Sequence, residues 1–152
     1  MNRSLAVTIV GISAMLLILG CSRQHDAAGT DCRIDKGPCV KTIMPGNITA
    51  VFDIRPKPVK MMSALFLNLS LSRGGKPMAD ADVILYLTMP GMYMGEHRVV
   101  MSHKGQGRYE GSSIIPRCPN GWLICKATFV ISRITTSPTD TLSAEYTFEV
   151  KG

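Results

Sequence analysis

The chain has 152 residues, 45 % of them hydrophobic and 18 % charged, with a net charge of +6. That is enough for one domain with a real core and too apolar for a disordered chain. The positive charges are scattered (Arg55, Lys57, Lys60, Arg73, Lys76, Arg98, Lys104, Arg108, Arg117), with no basic run and no interleaved aromatics, which argues against a nucleic-acid partner.

Met1-Asn2-Arg3 opens the chain with one positive charge, and an apolar run from Leu5 to Leu19 follows. This is the layout of a secretory signal, and the run is short for a membrane span of about 20 residues. It ends Leu17-Ile18-Leu19-Gly20-Cys21, which resembles the lipobox of bacterial lipoproteins. The resemblance implies cleavage after residue 20, diacylation of the Cys21 thiol and acylation, palmitate included, of the new amine. Ser22 lacks the resemblance to an inner-membrane retention signal that Asp would give there. The expected location is therefore the outer membrane, facing the periplasm, with several acyl chains as anchor. Polar, small residues from Ser22 to Asp31, His25 among them, read as a tether, and the domain division is 1–20 signal, 21–40 lipidated cysteine and tether, 41–152 folded domain.

Short apolar or alternating runs then recur between Gly, Pro, Asn and Asp. Strands are expected over 48–54, 63–72, 82–89, 98–103, 108–115, 122–132 and 143–150. Leu65, Leu67, Leu69 and Leu71 share one face; so do Val83, Leu85, Leu87 and Met89, and Tyr146, Phe148 and Val150. No stretch after the leader shows a capped helical stripe. About seven strands at this spacing predict an all-β, immunoglobulin-like antiparallel β-sandwich.

Besides Cys21 there are Cys32, Cys39, Cys118 and Cys125. An even count in an exported chain predicts two disulfides. Cys32–Cys39 and Cys118–Cys125 are preferred, because turn formers (Gly37-Pro38; Pro119-Asn120-Gly121) lie between the members of each pair. Cross-linking the N-terminal segment to the 118–125 region is the rival. No CxxC occurs to suggest a redox site.

One segment stands out, from Met89 to His103. It holds four of the chain's ten methionines and, in His97 and His103, two of its three histidines. Pro90-Gly91 and Gly95 mark its first half as a loop. Thioether sulfur is a soft, neutral donor that favours Cu(I), and imidazole suits copper in either oxidation state. Met92, Met94 and His97 are the first candidate ligands, with Met89, Met101 and His103 behind them. Met61, Met62 and Met78 join if their loops reach the same end. Thiolates are expected to be poor ligands in an oxidising compartment. The competing reading is that these methionines fill the core or form a soft contact surface; Met89 and Met101 in particular fit inward strand positions.

The pattern Met89-Pro90-Gly91-Met92, His97-Arg98-Val99-Val100-Met101, Gly107-Arg108-Tyr109-Glu110-Gly111, Gly121-Trp122 and Phe148-Glu149-Val150 resembles the YtkA-like/FixH-like group of extracytoplasmic domains. The resemblance covers roughly residues 62–150. It implies an immunoglobulin-like sandwich and, in the FixH branch, a link to copper delivery and oxidase assembly. The Met/His loop is also similar in style to the Cu(I) site of CopC-type carriers. Neither cysteine pair is a general feature of the group, and a lipid anchor here replaces the FixH transmembrane helix. No HExxH, GxSxG or phosphate loop occurs, and no enzyme is expected. The expected function is a lipid-anchored module that holds copper and passes it to an acceptor protein. The alternative is a metal-free accessory domain of an envelope or efflux complex.

Overall fold

The structure, a computed structural model, describes residues 29–118, 122–133 and 140–151. The expected signal segment, Cys21, His25 and the first part of the expected tether, up to residue 28, lie outside them. The described residues form nine strands and no helix: β1 Cys39–Ile43, β2 Ile48–Arg55, β3 Ala64–Arg73, β4 Lys76–Pro77, β5 Ala81–Met89, β6 Met92–His103, β7 Arg108–Ile114, β8 Trp122–Arg133 and β9 Asp140–Lys151.

Every pairing between these strands is antiparallel, in the order β1-β2-β3-β7-β6-β5-β8-β9, with β4 beside β3. β6 does the joining. Its middle pairs with β5, and its last two residues, Ser102 and His103, pair with β7. The sheet therefore folds over at β6 into two faces, β1-β2-β3-β7 against β5-β8-β9. This is an immunoglobulin-type sandwich with a strand that switches sheets. The outer edges also approach each other, which makes the sandwich nearly a barrel: Lys60 bridges to Lys151, and the backbone N–H groups of Asp31 and Cys32 donate to the Thr147 carbonyl.

The period-2 alternation sets the core. Ile48, Ala50, Phe52 and Ile54 of β2 and the four leucines of β3 point inward and meet the inward residues of β5, β8 and β9. At the centre, the Phe52 ring lies 4.9 Å from that of Phe129, 5.2 Å from Tyr146 and 6.1 Å from Phe148. The Tyr146 hydroxyl reaches across and donates to the Ala50 carbonyl at 2.8 Å, so its burial leaves no orphaned oxygen.

The structure adds to one expectation and corrects another. Residues 31–34, expected as part of the tether, pack onto the sandwich: Cys32 and Ile34 are buried, and Asp31 accepts from the Thr147 N–H. A covalent tie explains the difference, since the Cys32–Cys39 disulfide is formed and fastens this segment to β1. The second expected disulfide is not formed; Cys118 and Cys125 are free, buried thiols. Alternation along β8 carries Cys125 into the core between Leu123 and Ala127, and the Cys118 backbone is held by Met61. The turn residues 119–121 lie outside the described residues.

The disulfide closes a loop with a sequence separation of 7. Chain-entropy reasoning assigns such a short loop about 2.5 kcal/mol. A Cys32→Ser/Cys39→Ser variant is expected to lose that much in urea unfolding. A loss of only a few tenths would mean that Lys57 on the Ile34 carbonyl and Asp35 on the Val59 N–H hold the segment without it.

Candidate functional site

The Met-rich segment is mostly strand. The expected loop shrinks to Pro90-Gly91, a two-residue turn in which Gly91 takes a φ of +83°, as the second central residue of a Pro-Gly turn requires. Met89 and Met92 then face each other across the hairpin. Between that pair and the next one, Leu87 with His97, β5 advances two residues and β6 five. The surplus is a bulge containing Gly95, whose φ is +82°. Gly95 thus bends a strand where it was expected to mark a loop.

Met89 and Met92 line a cleft of about 210 Å³ at this end of the sandwich. Its other walls are Pro90, Gly91, Cys118, Leu123 and Ile124. Met89 is buried, as its inward position on β5 requires, whereas Met92 is 47 % exposed at the mouth. Met61, from the β2–β3 connection, brings its Sδ to 3.2 Å from the Cys118 backbone nitrogen. A third thioether therefore reaches the same cysteine from a separate loop. The lining is thioether, thiol and aliphatic.

The candidate ligands whose side chains are described do not all converge. Met101 points into the core, where a Cβ on Gly111 would come within 2.8 Å of its Sδ, so the missing side chain of Gly111 makes its seat. The His103 ring lies 5.1 Å from that of Tyr109, near the far end of β6. A 12-residue strand spans roughly 40 Å, less where it bulges, so Met92 and His103 cannot share an ion. His97 sits beyond the bulge and does not line the cleft. The Met94 side chain lies outside the described residues. Of the further methionines, Met61 touches the Cys118 backbone behind the cleft lining, Met62 is exposed, and Met78 is buried, its carbonyl accepting from the Tyr109 hydroxyl at 3.0 Å.

Cys118 is the cleft-lining side chain that the sequence did not single out, because it was assigned to a disulfide and thiolates were set aside as ligands. Its distance from Cys125 was a matter of spacing only, and spacing does not report which side of a strand end a thiol occupies. Among the described residues no three His, Cys, Asp or Glu side chains gather as a metal site, so donors for a metal would come chiefly from sulfur.

A second cleft, of about 370 Å³, is charged and lies beside Lys36, Asp53, Arg55 and Lys57. Burial raises the Asp53 pKa, but hydrogen bonds from Lys57 and Arg55 outweigh it and hold the carboxyl below its ordinary range. Its ion pair with Lys57, 2.6 Å long, ties β2 to the chain that follows it.

No family model matches the chain, and neither a curated protein nor a solved structure does, so the YtkA-like/FixH-like resemblance rests on its short motifs alone.

Proposed function

We propose that this chain is a lipid-anchored module of the bacterial envelope, facing the periplasm, that binds Cu(I) through methionine thioethers and hands it to an acceptor protein. The observation that carries this reading is the cross-hairpin pair Met89 and Met92 on one open cleft. Thioethers are soft, stay unprotonated at any pH and favour Cu(I) over harder ions. One buried and one half-exposed sulfur suit exchange: the inner holds the ion while the outer meets a partner's ligand. The export part rests on the Leu17–Cys21 sequence.

The full chain in detergent, titrated with Cu(I) anaerobically against a chromogenic chelator, tests it. Wild type is expected to bind one ion with sub-nanomolar affinity, about −12 kcal/mol or better. Met89→Leu/Met92→Leu keeps apolar volume, so the fold should survive while affinity falls at least about tenfold. His97→Ala, outside the cleft, should bind like wild type. No binding by wild type would sink the copper reading.

A second reading has its own observation. Tyr93, 92 % exposed, stands beside Met92 at the hairpin end, and exposed aromatic and methionine side chains are contact-surface residues. If copper fails to bind, the hairpin is a docking surface for an envelope protein.

A further inference from the structure

We infer that Cys118 is the anchoring ligand of the cleft, a thiolate to which Met61, Met89 and Met92 add thioethers. This rests on the copper reading and adds a charged ligand to it.

Thiolates were expected to be poor ligands in an oxidising compartment, but Cys118 is a free, buried thiol, and it lines the cleft with Met89 and Met92. Met61 independently places a sulfur against the same residue. Three sulfur side chains from two chain segments, the β5–β6 hairpin and the segment after β7, line the cleft, and a fourth, Met61 of the β2–β3 connection, touches the backbone of Cys118. The remaining lining is aliphatic, and a naked cation there is costly. A thiolate removes that cost, since its negative charge cancels the single charge of Cu(I). Binding forms a sulfur–copper bond and breaks the S–H bond; the proton leaves to solvent and no electron moves. Cys125 differs in kind. It is not among the cleft-lining residues, and burial alone pushes its thiol up to about 12, so it is a core residue.

The test uses the full chain in detergent, handled anaerobically with ascorbate, which leaves the Cys32–Cys39 disulfide intact. Alkylation after denaturation, without thiol reductant, should mark Cys118 and Cys125. Cu(I) added to wild type should raise a thiolate-to-copper charge-transfer band in the ultraviolet and saturate it at one equivalent. Cys118→Ser should abolish the band and weaken binding about 100-fold or more, beyond what loss of a mere supporting partner costs. Cys125→Ala should keep the band, and Met61→Leu should weaken binding with the band retained. The wild-type band needs no variant to fold. Three results overturn the inference: Cu(I) binding without a band, a Cys118→Ser variant that binds as wild type does, or Cys118 and Cys125 joined as a disulfide in the purified chain. In the first two, loss of binding in Met89→Leu/Met92→Leu leaves the thioether reading standing; absence of any Cu(I) binding removes both.

Discussion

Phe52→Ala is expected to lower the unfolding free energy by about 3–5 kcal/mol, the range for deleting a fully buried aromatic. Phe52 is completely buried and touches Phe129, Tyr146 and Phe148 on the opposite face of the sandwich. Its contact with Phe129 is edge-on, at an interplanar angle of 70°, the geometry aromatic quadrupoles favour. The cavity cannot easily collapse. Its walls are side chains of strands held in long ladders, β2 with β3 over Ile48–Arg55 and β8 with β9 over Trp122–Arg133. Domains of this kind hold about 5–15 kcal/mol in all, so this one substitution takes a large share. Urea unfolding followed by circular dichroism measures it. Phe66→Ala is the control: the same residue type, but 61 % exposed on the outer face of β3, and expected to cost under about 0.5 kcal/mol. Equal losses in the two variants would mean that the inward and outward faces of the β2–β3 pair have been assigned wrongly.

That assignment was legible because it follows from local alternation. Leu65, Leu67, Leu69 and Leu71 are all buried, and so are Val83, Leu85, Leu87 and Met89, as period 2 requires. Strand pairing across the fold adds what alternation lacks. β1 has an exposed or half-exposed pattern for four of its five residues, so no apolar stripe announces it; β2 recruits it through the register Cys39–Phe52 to Ile43–Ile48. β4 has two residues, exposed and one of them proline, and exists because β3 extends beside it. Gly95 was ambiguous in principle, since the same residue serves a loop or a bulge. The cleft was half legible. Met89 and Met92 could be chosen from their turn. Cys118, with Met61 against its backbone, arrives over a sequence separation that no local pattern encodes. The cysteines show the same division: the short Cys32–Cys39 closure is local and was read correctly, whereas the fate of Cys118 depends on where β7 ends relative to β8.

Gly107→Ala is expected to destabilise the chain by about 2–5 kcal/mol, from left-handed backbone strain of about 1–2 kcal/mol together with overpacking of about 1–3. Gly107 has a φ of +67° in the β6–β7 hairpin. A Cβ there would lie 2.4 Å from the Leu71 carbonyl oxygen and 2.8 Å from the Met78 nitrogen. Both are backbone atoms and neither can swing aside. They are also in use: the Leu71 N–H donates to the Gly107 carbonyl at 2.8 Å, and the Met78 N–H donates to the Leu71 carbonyl at 2.9 Å. One methyl group would therefore strain three chain segments, the end of β3, the segment after β4 and the hairpin. Gly75→Ala separates the two causes. Gly75 has a similar φ of +77°, but nothing lies within 4 Å of its would-be Cβ, so only the backbone strain of about 1–2 kcal/mol applies. Thermal or urea unfolding of both variants gives the difference, and equal losses would remove the steric account. Gly107 lies at the opposite end of β6 from the Met89–Met92 cleft, so under the proposed copper reading the folded fraction of Gly107→Ala should match wild type in Cu(I) affinity. A fall in affinity per folded molecule would mean that strain at this hairpin travels along β6 to the cleft, and that the two ends of the sandwich are not independent.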